Sequence, residues 1–109
     1  MTADTTMNAG AAGLPREKRL EAIRIAIQSA LAPQSLLVED DSARHAGHAG
    51  ARDGRGHFNV DVVSDAFLWL APLARHRVVY AAVGSMMTTD IHALSIRART
   101  TAEAEADTD

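Results

Sequence analysis

HFNVDVVS, residues 57–64, decides the fold, because Phe58, Val60 and Val62 alternate with Asn59 and Asp61. Period-two alternation of branched and aromatic residues marks a half-buried strand. Upstream, SLLVEDD, residues 35–41, is short, branched and partly alternating, and reads as a second strand. Between them lies HAGHAGARDGRGH, residues 45–57, which holds three of the five histidines and four of the seven glycines. Strands that flank one loop pair naturally as antiparallel neighbours.

Working outward, Pro15 precedes REKRLEAIRIAIQSALA, where Leu20, Ile23, Ile27, Ala30 and Leu31 fall on one helical face until Pro33 stops it. Past the central strand, Ala66 to Ala71 reads as a short helix. Pro72 starts a longer one, with Leu73, His76, Tyr80, Val83 and Met87 three or four residues apart. Thr88, Thr89 and Asp90 make a turn. IHALSIRART then sets His92, Leu94, Ile96 and Ala98 against Ser95, Arg97 and Arg99. The order is α-β-β-α-α-β. A crossover from Val63 to Ile91 favours a parallel pair with a right-handed connection. The expected class is α+β, an α/β sandwich: a three-stranded mixed sheet with helices on one face, and Phe58, Phe67, Trp69 and Tyr80 as its large core pieces. Parallel strands begin at the same edge of a sheet. His57 and His92 therefore belong to one rim, into which the loop bearing His45 and His48 feeds.

With 109 residues the chain has room for one domain, expected over residues 16–100. Residues 1–15 read as a disordered leader and 101–109 as an acidic, solvated tail. The leader has neither the basic start of a secretory signal nor an arginine before Arg16, which points to a cytoplasmic protein. Cysteine is absent, so disulfides and thiolate ligands are excluded and His, Asp and Glu are the strong donors left. A net charge of −3 provides no general attraction for phosphate backbones. No apolar run approaches the roughly 18–20 residues of a bilayer span. Ser, His and Asp occur near the loop without a nucleophile elbow or oxyanion feature, so neither catalysis nor a small-molecule substrate is expected.

DDSARHAGH, the HF opening HFNVDVVSDAF, RHRVVY and IHALSIRART, in that order between about residues 17 and 100, resemble the BolA-like protein family. The resemblance implies a fold similar to class II KH domains. It also implies a partnership with a monothiol glutaredoxin, in which a [2Fe–2S] cluster is shared between the glutaredoxin cysteine, glutathione and side chains of the BolA-like chain; none is expected in the isolated chain. The family's ligand in its HAL motif falls on His92. The second ligand comes from the loop, where counting from Ser42 favours His45 and counting back from His57 favours His48; His57 ranks behind them. Transcriptional regulation through DNA is the alternative the resemblance implies, with Arg75, Arg77, Arg97 and Arg99 as candidate contacts. Gly47-His48-Ala49-Gly50 matches the KH phosphate clamp in letters, but a KH clamp joins two helices and this stretch joins two strands. His76, on the apolar stripe, reads as structural. Trp69 stands where many relatives have glycine.

Overall fold

The computed structural model describes residues 13–42 and 54–107. Helix α1 (Arg16–Leu31) is followed by strands β1 (Ser35–Asp40) and β2 (Gly56–Val63) and a 3-10 turn (Asp65–Phe67). Helices α2 (Pro72–Val83) and α3 (Met86–Thr89), strand β3 (Ile91–Arg99) and helix α4 (Thr101–Asp107) complete it. The sheet order is β1-β2-β3, with β1 antiparallel and β3 parallel to β2. The mixed three-stranded sheet and α+β class expected from the alternation are what the chain adopts.

One face of the sheet carries the core. Phe58, Val60 and Val62 of β2 are buried against Ile23, Ile27 and Leu31 of α1 and Val79 and Val83 of α2. The opposite face is polar and open, because the register aligns Leu37 with Asp61 and Arg97, and Glu39 with Asn59 and Ser95. Ser64 locks the far end of β2, donating its hydroxyl to the Leu31 carbonyl at 2.7 Å and capping the 3-10 turn through the Ala66 N–H at 3.0 Å.

Several sequence expectations change. The short helix at Ala66–Ala71 is instead the 3-10 turn one residue earlier. Helix α2 ends at Val83 because Gly84 takes φ 58, a conformation that costs an L side chain and interrupts the helix before α3. Its buried stripe is Val79 and Val83, whereas Leu73 is 62% and Tyr80 39% exposed. Both stripes of this helix are apolar, and docking on the sheet selects between them. Trp69 is 96% exposed with φ 67, so of the four aromatic residues only Phe58 and Phe67 are core pieces.

Both presumed tails contain ordered residues. The Leu14 N–H donates to Asp90 Oδ1 at 2.7 Å, which ties the segment before α1 to the start of β3. The acidic stretch forms α4 through reciprocal capping: Glu103 N–H donates to Thr100 Oγ1 at 3.2 Å, and Thr100 N–H to Glu103 Oε1 at 2.9 Å. Arg75 then grips Glu103 with two hydrogen bonds, at 2.6 and 3.0 Å. These contacts, led by Arg75 and the Thr100 N–H, hold the Glu103 carboxyl down at about 2 from its usual 4.5. A depressed folded-state value means that the contribution is complete above pH 4.5 and disappears as pH falls towards 2. Slowed exchange of the Thr100 amide, which donates to the Glu103 carboxyl, is therefore expected to persist at pH 4 and to weaken near pH 2. In Glu103→Gln, whose side chain does not titrate, its protection factor should be the same at both, as read by NMR.

Candidate functional site

The starts of β2 and β3 form the rim that the topology predicts. The His57 and His92 rings stand with centroids 5.2 Å apart, tilted by 52°. His92 is exposed, although simple alternation puts it on the buried side with Leu94. The reason is an irregular register: Gly56 pairs with Ile91, but His57 pairs with Ala93, so His92 is an extra residue in β3. An inserted residue reverses the parity of the strand beyond it. Ile91 and Leu94 are consequently both buried, and His92 is turned out to the rim beside His57.

The backbone of this rim is fastened at several points. Gly56 N–H donates to the Asp90 carbonyl at 2.9 Å. His57 N–H donates to Ser42 Oγ at 3.1 Å, and Asp41 N–H to the His57 carbonyl at 2.7 Å. A Cβ on Gly56 would come within 2.8 Å of both the Phe58 ring and Ser42 Oγ, so only glycine fits there. Beneath lies Asp90, 1% exposed, whose Oδ1 accepts from Leu14 N–H and from Arg19 Nε at 3.1 Å. Its Oδ2 accepts from the Thr89 hydroxyl at 2.7 Å. Arg19 reaches on to the Gly54 carbonyl at 2.6 Å. One ion pair thus joins the N-terminal segment, the return of the glycine-rich loop and the start of β3.

Arg55 lies over the same rim. Its Nη1 donates to the Met87 carbonyl at 3.3 Å, and its Nη2 is 3.2 Å from His92 Nδ1. Neither Arg55 nor the Arg19–Asp90 pair figures among the sequence candidates. A basic residue two before His57 and an acid two before His92 are weak signals until the topology joins them.

Of the candidate ligands, His57 and His92 are brought together, while His45 and His48 lie outside the described residues. His76 is half-buried on α2. Among the described residues no group of three His, Cys, Asp or Glu is placed to hold a metal ion. The rim therefore offers two nitrogen donors and needs others from elsewhere. Three of the four candidate DNA-contacting arginines are engaged by acids. Arg75 pairs with Glu103, and Arg99 with Asp107 at 3.0 Å and Asp61 at 3.2 Å. Arg97 meets Asp107 at 3.3 Å, and Arg77 is exposed on α2. The hydrogen bond to Asp107 first, and then Asp61, raise the Arg99 pKa against the opposing effect of burial. No helix among the described residues is long and apolar enough to cross a membrane.

A family model described as "BolA-like protein" matches residues 27–103. "Protein BOLA1, chloroplastic" of Arabidopsis thaliana is 41% identical over 90 residues, covering 80% of this chain and 56% of that protein. "DNA-binding transcriptional regulator BolA" of Escherichia coli strain K12 is 38% identical over 90 residues, covering 83% of this chain and 79% of that one. The solved BolA domain of SufE1 from Arabidopsis thaliana superposes with a TM-score of 0.71 at 40% identity, covering 84% of this chain and 99% of that domain. The match spans 56%, 23% and 58% of the first three curated relatives, which are longer proteins. With the fold, the family motifs and most of the ordered length in agreement, the chain belongs to the BolA-like protein family.

Proposed function

We propose that this chain is an iron–sulfur adaptor that pairs with a monothiol glutaredoxin and receives a [2Fe–2S] cluster as cargo, His92 and a second histidine completing its coordination. The observation that supports this most is the His57–His92 pair, 5.2 Å between ring centroids, with His92 exposed and His57 half-buried, in a cysteine-free chain. Two imidazoles on one iron of a [2Fe–2S] cluster is a known ligand set that raises the reduction potential. The donor set at the rim suits that role, and the thiolates would come from the glutaredoxin cysteine and glutathione. His57 stands beside His92, and His45 and His48 precede it in the loop as the family's alternatives for the second ligand. The chain's own part is to present donors at a fastened strand edge. No step of catalysis is assigned to it.

Mixing the purified chain with cluster-loaded glutaredoxin, followed by visible absorption and circular dichroism, tests the reading. A changed spectrum and a cluster-containing heterodimer are expected, and an unchanged spectrum with no complex would sink it. A tight complex without cluster, indifferent to His92→Ala, would select a simple interaction module. A DNA-binding regulator is the second reading, favoured by the name of the Escherichia coli relative and by exposed Arg77 and Arg97. It requires duplex affinity that falls with salt and weakens in Arg77→Ala and Arg97→Ala.

A further inference from the structure

The histidine pair depends on where one extra residue falls in β3. Gly56 pairs with Ile91 and His57 with Ala93, so His92 stands between two aligned pairs and turns out to the rim. Further along, Leu94 is buried opposite Phe58, which fixes the rest of the strand. With Leu94 held there, an unbroken register would set His92 opposite Gly56, on the buried face, and Ile91 opposite Arg55, outside. The extra residue therefore has to be held in place by the chain just before it. Burial of Ile91 favours that arrangement, and Asp90 and Arg19 pin it.

Asp90 is tied to the start of β2 through its backbone and through its side chain. Its carbonyl accepts from the Gly56 N–H at 2.9 Å. Its carboxylate accepts from Arg19 Nε at 3.1 Å, while Arg19 Nη1 donates to the Gly54 carbonyl at 2.6 Å. One guanidinium thus spans the chain two residues before His92 and three before His57. Asp90 is buried and Arg19 half-buried, and a Cβ on Gly13 would stand 3.1 Å from Asp90 Oδ1, so water competes little for these bonds. A lysine keeps the charge but lacks the planar fork that reaches both acceptors. We propose that Arg19 is a positioning residue for the histidine pair: by holding the Asp90 carboxylate and the Gly54 carbonyl together, it keeps the extra residue of β3 at His92, whose ring then faces out beside His57. The consequence for cargo rests on the reading of the pair as a cluster half-site.

The test compares the full-length parent, Arg19→Lys and Leu31→Ala, each at a temperature where far-UV circular dichroism shows it folded. Leu31→Ala truncates the core beside Ser64, at the far end of β2, and lowers stability without touching the clamp. In the cluster-free chain, NMR should show nuclear Overhauser contacts between the His57 and His92 rings in the parent and in Leu31→Ala, and their loss in Arg19→Lys. With cluster-loaded glutaredoxin, Arg19→Lys should lose cluster about tenfold faster than the parent, the low end for removing a partner that orients a ligand, and its visible circular dichroism should change. Leu31→Ala should match the parent in both. Asp90→Asn, which weakens the clamp from its other side, should move the same readouts in the same direction. Ring contacts that persist in Arg19→Lys and Asp90→Asn, cluster retention there equal to the parent's, or the same losses in Leu31→Ala would each overturn the proposal. A parent chain that takes up no cluster defeats the adaptor reading, and the ring contacts of the cluster-free chain then decide the role of Arg19 by themselves.

Discussion

Asp90→Ala is expected to destabilise the fold by about 3 kcal/mol, the lower end of the range for removing one partner of a buried ion pair. The lower end applies because Arg19 keeps 12% of its side chain exposed while the Asp90 side chain keeps 2%. The carboxylate accepts from Leu14 N–H, Arg19 Nε and the Thr89 hydroxyl, so its loss removes three hydrogen bonds together. Domains of this size have about 5–15 kcal/mol of stability in all, and 1 kcal/mol moves the midpoint by about 4–8 °C. A fall of roughly 12–24 °C in Tm should follow, measured by far-UV circular dichroism. Asp90→Asn, which retains an acceptor of the same shape, should lose less. A Tm for Asp90→Ala within about 2 °C of the parent would show that the pair does not hold these segments together.

His92→Ala is expected to act oppositely, on the cluster complex and not on the fold. The side chain is exposed, and substitutions at such positions usually change stability by less than about 0.5 kcal/mol. Under the adaptor reading it is a direct ligand, whose removal leaves an iron position to water or another donor. Even partners that only orient a ligand cost about 10–100-fold in metal affinity when lost, so at least tenfold faster loss of cluster and a visibly altered spectrum are expected. His57→Ala, His45→Ala and His48→Ala, measured the same way, identify the second donor by which of them repeats the effect. Cluster retention and spectrum unchanged in His92→Ala would remove this residue from the site.

Much of this was readable in the residues themselves. Alternation in HFNVDVV settled β2, and its buried side is the one expected: Phe58, Val60 and Val62. The rim location of His57 and His92 followed from a parallel crossover. What escaped was whatever depends on a partner distant in sequence. The extra residue in β3 cannot be seen in IHALSIRART, since alternation assumes an unbroken register and so puts His92 on the buried side. Val83 lies on the expected stripe and is buried, whereas Val79 is not on it, because α2 has apolar residues on two stripes. Asp90 looked like a turn residue, and its burial needs Arg19, from the other end of the chain. Helix α4 carries a local signal, Thr100 followed by Glu103 three residues on, inside a stretch whose acidic composition reads as a solvated tail. The docking arginine, Arg75, lies 28 residues before Glu103.

The setting of Trp69 has a practical result. It is the chain's single indole, and at 96% exposure it already sits in water when the protein is folded. Its emission should therefore shift little on unfolding and strongly when another molecule covers the turn between Phe67 and Pro72. Native fluorescence of this protein is an optical sensor of docking there, almost blind to the state of the core.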